Sequence, residues 1–169
     1  AAAVNYLSEH GISNLDELDA ALSSVSDKAY SIREGMKTAE ERMKKLQKLI
    51  ECGKNYLTYK PVQDEYRQIR WKGKQEKFAE AHRAELTLWN AASRYLHANL
   101  PDVKALPISE WKQEYADLKA QRDTDYAKLK ATRAEVAELQ KIRKCVDIAL
   151  KAEQPEQAQT HTKRHELDR

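Results

Sequence analysis

Between Lys54 and Lys77 cationic and aromatic side chains are interleaved: Lys54, Lys60, Arg67, Arg70, Lys72, Lys74 and Lys77 surround Tyr56, Tyr59, Tyr66 and Trp71. Cations neutralise phosphates and aromatic rings stack on unpaired bases, so this mixture carries the chemistry of nucleic-acid binding. The charge is local. Residues 42 to 77 hold eleven basic and four acidic side chains, against three and eight in residues 1 to 41, although the whole chain has a net charge of only +3. Lys60, Arg67, Arg70, Trp71, Lys72 and Lys74 are the candidate contact residues. The plain alternative is that a lysine-rich stretch of helix is a solvated face.

Other chemistry is sparse. His161 and His165 stand one helical turn apart, but no Glu occupies the zinc-protease position between them, and their surroundings read as a polar tail, so no metal site is expected. His82 falls on the apolar face of a helix and reads as a core or boundary residue. There is no glycine-rich phosphate loop, no nucleophile elbow and no carboxylate pair whose placement can be argued. No catalytic residue and no cofactor are expected, and the chain reads as a non-enzyme.

The elements that position these residues are helical. Leu15, Leu18, Leu22, Val25, Ala29, Ile32, Met36, Ala39, Met43, Leu46 and Ile50 alternate spacings of three and four without exception, which is a coiled-coil seam. A second seam runs through Ile108, Trp111, Tyr115, Leu118, Leu129, Val136, Leu139, Val146 and Leu150, with Arg122, Asp125, Thr132 and Arg143 in its polar slots. Charged residues make up 34% and aromatic residues 7%, with four glycines, a composition that excludes a strand-rich core. The expected fold is all-α: a long antiparallel coiled-coil hairpin with a shorter capping helix at its distal end.

Segment boundaries follow from local signals. Residues 1–12 read as a short helix stopped by Gly11, and 13–152 as the helical arm, with a cap over 72–100. Residues 153–169 read as a disordered tail beyond Pro155. Ser13 followed by Asp16 resembles a capping box at the start of the first long helix, and Ser109 is the expected N-cap of the returning one. Pro61 predicts a kink or break between Tyr59 and Val62, because proline lacks the amide proton that a helix interior requires. Trp71, Phe78 and Trp89 are expected to form a small aromatic core under the cap. Side-chain size favours the register that sets Gly53 across from Tyr115, Ala29 across from Leu139 and Ala39 across from Leu129, each small residue meeting a large one. The other register sets Gly53 against Ile108 and leaves Ala39 against Arg122.

No apolar run is long enough to span a bilayer and no signal peptide is visible, so neither membrane insertion nor export is expected. The abrupt start, with no initiator Met, suggests a chain cut from something longer. In an antiparallel arm Cys52 and Cys145 lie about 40 Å apart at about 1.5 Å per residue. They cannot bridge within one molecule, and unpaired thiols fit a cytoplasmic location.

One family shares an ordered pattern with this chain. The run Tyr59, Lys60, Pro61, Val62, Asp64, Glu65 and Tyr66 is followed by Lys77, Phe78, His82, Arg83, Glu85, Leu86, Leu88, Ala91 and Ala92. Leu106, Pro107, Glu114, Tyr115, Leu118 and Tyr126 come next, then Lys144, Val146 and Asp147. From about Val4 to Leu150 the chain resembles the C-terminal helical region of relaxases, the mobilisation nucleases of conjugative and mobilisable elements of Firmicutes. The resemblance implies a parent protein that nicks one DNA strand through a tyrosine, with a histidine cluster holding a metal on a separate nuclease domain. This chain has no His-x-His and no strand pattern, so none of its tyrosines or histidines inherits those roles. What the resemblance implies here is a non-catalytic accessory domain that engages DNA, other transfer-complex proteins or a second copy of itself. The rival reading is a structural coiled coil that spaces or dimerises other domains without touching nucleic acid.

Overall fold

A computed structural model describes the backbone of residues 2–166 and the side chains of residues 2–153. The described residues form five helices and no strand: α1 (Ala2–Glu9), α2 (Leu15–Gln68), α3 (Lys72–Ala81), α4 (Arg83–Asn99) and α5 (Ile108–Glu166). The all-α expectation holds, and α2 and α5 pack against each other as the partners of a helical hairpin. Across its 54 residues α2 contains only Gly35, Gly53 and Pro61 as strong helix breakers. Pro61 does not end it. The carbonyl that loses its amide partner there belongs to Leu57, and both Leu57 and Pro61 are exposed, so water can complete that bond.

The chain divides into two compact units, one formed by Ala1–Gly35 with Thr124–Arg169 and the other by Met36–Asp123. In the first, α1 ends in a Schellman motif: Gly11 adopts φ 64°, Ile12 N–H donates to Leu7 O at 2.8 Å and Gly11 N–H to Ser8 O at 3.2 Å. The cap of α2 is Asn14, one residue later than the sequence suggests. Asn14 Oδ1 accepts from Glu17 N–H at 2.9 Å, and the Glu17 carboxylate accepts from Ser13 N–H at 2.6 Å and from Ser13 Oγ at 2.8 Å. The two bonds from Ser13 hold the Glu17 carboxyl below its usual range. Leu18 is buried against Leu139 and Ile142, with Tyr6, Leu7, Ile12 and Val146 packed around them. Arg143, a polar slot in the second seam, donates from Nε to Asp19 Oδ1 at 2.5 Å and also bonds Asp147.

In the second unit Leu46, Leu49 and Cys52 of α2 share a buried core with Ala92 and Leu96 of α4, Val103 of the following loop and Trp111 of α5. The unit is a three-helix packing. Lys48 lies 6.0 Å from the Tyr95 ring, Tyr56 stacks on Trp89 at 5.3 Å, and Gln63 lines one cavity with Leu86, so α4 runs back along α2 from its far end. The expected single cap helix is two, divided at His82, whose φ of −111° and ψ of 25° interrupt the helical path. Its ring half-buries against Phe78 at 4.3 Å and bonds Glu85 through Nδ1 at 3.0 Å.

The register differs from the size argument. Gly53 lies against Ile108 and Trp111, not across from Tyr115. Small meets large here too, but the seam is more than two facing rows, because Trp111 also serves the core shared with α4. α5 begins at Ile108, with Trp111 N–H donating to Pro107 O at 3.0 Å, so Ser109 lies inside its first turn and is not its cap. Cys52 is buried, which raises its thiol pKa, Cys145 is exposed, and neither forms a disulfide. α5 continues through Pro155, and the side chains beyond Glu153, including His161 and His165, lie outside the described residues.

Candidate nucleic-acid interface

The six candidate residues fall on the end of α2, the link after it and the first turn of α3. Lys60 and Arg67 are on α2, Arg70 and Trp71 in the link, and Lys72 and Lys74 on α3. All lie within the second compact unit. The corner is fastened from inside: Gln75 Nε2 donates to Tyr66 O at 3.3 Å, Ile69 N–H reaches the same carbonyl at 3.4 Å, and the Tyr66 and Phe78 rings sit 6.5 Å apart.

Two of the six already have partners. Lys60 Nζ donates to Asp64 Oδ2 at 2.9 Å, and that bond raises the ammonium pKa. The Arg67 guanidinium lies over Trp89, 5.6 Å from the ring centroid, a cation–π contact. Arg70, Lys72 and Lys74 are exposed and have no ion-pair partner among the described residues. Trp71 is 76% exposed, the most exposed of the large apolar side chains. The expected aromatic core therefore does not form: Trp89 packs on Tyr56, Phe78 on Tyr66 and His82, and Trp71 on the surface. A tryptophan at a corner between α2 and α3 has no helical neighbour to bury it.

The start of α3 is electrostatically unfavourable as it stands. Trp71 occupies the N-cap position with φ −89° and ψ 115° and makes no capping bond, and the first turn has no acidic residue but holds Lys72 and Lys74. Cations at a helix N-terminus oppose the helix dipole, whereas an anion there is favoured.

Beside this corner is a cavity of about 290 Å³ lined by Gln63, Tyr66, Ala79, Arg83, Leu86, Thr87 and Asn90. Gln63 is only 7% exposed and its amide has no hydrogen-bond partner among the described residues. That amide is not sealed from solvent, since the one buried side-chain polar atom without a partner among the described residues is Trp89 Nε1; it opens on the cavity instead. Sequence reasoning passed over Gln63. The signal was present, because Leu49, Cys52, Tyr56, Tyr59 and Gln63 repeat at three and four beside the first seam, and an amide interrupts that otherwise apolar or aromatic stripe.

No group of three or more metal-ligating side chains gathers among the described residues. No helix among them is long and apolar enough to cross a membrane. Comparison with protein-family models, curated proteins and solved structures gives no match.

Proposed function

We propose that this chain is a non-catalytic helical accessory domain of a mobilisation relaxase and that it contacts DNA through the corner between α2 and α3. The observation that carries the reading is Trp71, 76% exposed and flanked by the unpaired cations Arg70, Lys72 and Lys74. A surface tryptophan among cations serves backbone neutralisation and base stacking together. The uncapped, lysine-bearing start of α3 supports the same reading, since a phosphate there satisfies free amides and relieves the charge conflict. The link to mobilisation rests on the ordered resemblance of residues 59–147 to the relaxase helical region.

The test is binding of single-stranded and duplex DNA by the whole chain across a salt series. Affinity should fall as salt rises, because bound counterions are released on association. Neutralising Arg70, Lys72 and Lys74 together should weaken binding and flatten the salt slope while leaving helicity unchanged. Absence of DNA affinity at low salt would remove this reading and leave the coiled-coil spacer in its place.

A further inference from the structure

We infer that the cavity between the end of α2, α3 and α4 is a pocket for one unstacked nucleobase of a single-stranded segment; this deepens, and rests on, the DNA-contact reading above. The pocket has the three parts that base capture requires. Tyr66 supplies an aromatic wall, held in place by Phe78 at 6.5 Å, and Leu86 a buried apolar surface. Gln63 and Asn90 supply amides, each a donor beside an acceptor, which is the arrangement that pairs with a base edge. Thr87 adds a hydroxyl and Arg83 a cation for the adjoining phosphate.

Gln63, nine-tenths buried as a residue and without a hydrogen bond to the protein, opens its amide onto the cavity and is the specific indication. A base entering the cavity gives that amide its partners. Connectivity supports the choice of ligand. Tyr66 lines the pocket, and the next residues along the chain are Arg67, Arg70, Trp71, Lys72 and Lys74, so a strand held on the cationic corner has its bases close to the opening. Single strands are read in this way, by splayed bases on aromatic walls with polar contacts to their edges. At about 290 Å³ the cavity is at the lower limit of small-molecule sites, which suits a single planar heterocycle.

The experiment compares the whole chain's affinity for a fluorescent single-stranded oligodeoxyadenylate with that for the same backbone carrying abasic sites, by anisotropy at fixed low salt. The wild type should prefer the base-bearing strand by about tenfold, the order of one amide contact to a base edge. Gln63→Leu, and separately Asn90→Ala at an exposed position that cannot disturb folding, should each reduce that preference while leaving affinity for the abasic strand unchanged. Equal binding of the two strands by the wild type, or a preference that survives both substitutions, overturns the pocket while leaving the cationic corner standing. No binding of either strand at low salt overturns the DNA-contact reading itself.

Discussion

Gly53 of α2 lies so close to Ile108 of α5 that a Cβ built on the glycine would stand 3.2 Å from the Ile108 side chain and 3.3 Å from the Trp111 ring. Gly35, on the same helix, has nothing within 4 Å of the equivalent point. Alanine at either site gains helix propensity, about 0.8–1.0 kcal/mol over glycine. Gly35→Ala should therefore stabilise the chain by roughly that amount in urea unfolding. Gly53→Ala should gain less, because Ile108 and Trp111 must give way, and Gly53→Val should destabilise by about 1–3 kcal/mol through overpacking. Equal gains at the two sites would contradict the close contact.

Arg42 grips Glu114 in a fork, Nε donating to Oε1 at 2.6 Å and Nη2 to Oε2 at 2.9 Å. The Arg42 hydrogen bonds hold the Glu114 carboxyl below its usual range. A depressed carboxyl pKa gives stability that is present above the ordinary carboxylate range and is lost as pH falls through the folded value. Both side chains are 41% exposed, so the contribution is small, about 0.5–1 kcal/mol. Arg42→Met should cost that much near neutral pH and nothing once Glu114 is protonated in both states. A cost that is unchanged at acid pH would show that packing, not charge, is what Arg42 contributes.

The cations of the candidate interface should not be equivalent. Lys60 is held by Asp64 and Arg67 by Trp89, whereas Arg70, Lys72 and Lys74 are unpaired. Each free cation that reaches a phosphate contributes about one unit to the slope of log affinity against log salt. Single substitutions to glutamine at Arg70, Lys72 or Lys74 should therefore lower the slope more than Lys60→Gln does. An identical effect at all four sites would point to diffuse attraction without defined contacts.

At the end of α1, Gly11 has φ 64° in open surroundings. Steric room is not the constraint there; backbone conformation is. Gly11→Ala should destabilise the chain by about 1–2 kcal/mol, the cost of a Cβ in the left-handed region, and Gly11→Asn by less. Thermal unfolding of the two variants should rank them in that order.

Both seams were legible in the sequence because spacing alone carries them. Every position of the first, from Leu15 to Ile50, is buried or half-buried, and the polar slots Arg122, Asp125, Thr132 and Arg143 of the second are too, although its last member, Leu150, is exposed. What escaped was the third partner. α4 lies along a second stripe of α2, and a stripe of Leu49, Cys52, Tyr56 and Gln63 looks on its own like the shoulder of a heptad. From that one omission follow the misplaced register, the aromatic core that does not form, and the unnoticed Gln63. The cationic corner was legible as composition. Which of its members are free was not, because Asp64 is one turn from Lys60 in sequence whereas Trp89 reaches Arg67 only through the fold.

The division of the chain has a consequence for the order of folding. Met36–Asp123 is one continuous segment, while the other unit is assembled from two pieces on either side of it. Arg42 and Glu114 are 72 residues apart, Asp19 and Arg143 are 124 apart. On a ribosome the inner segment emerges complete while the second piece of the outer unit is still being made, and domains form as soon as their residues are available. Once the inner segment is closed, the free loop that the outer pair must draw together is far shorter than its sequence separation, which lowers the entropy of closure. Hydrogen exchange during refolding should accordingly protect amides near Leu46 and Trp111 before those near Leu18 and Leu139.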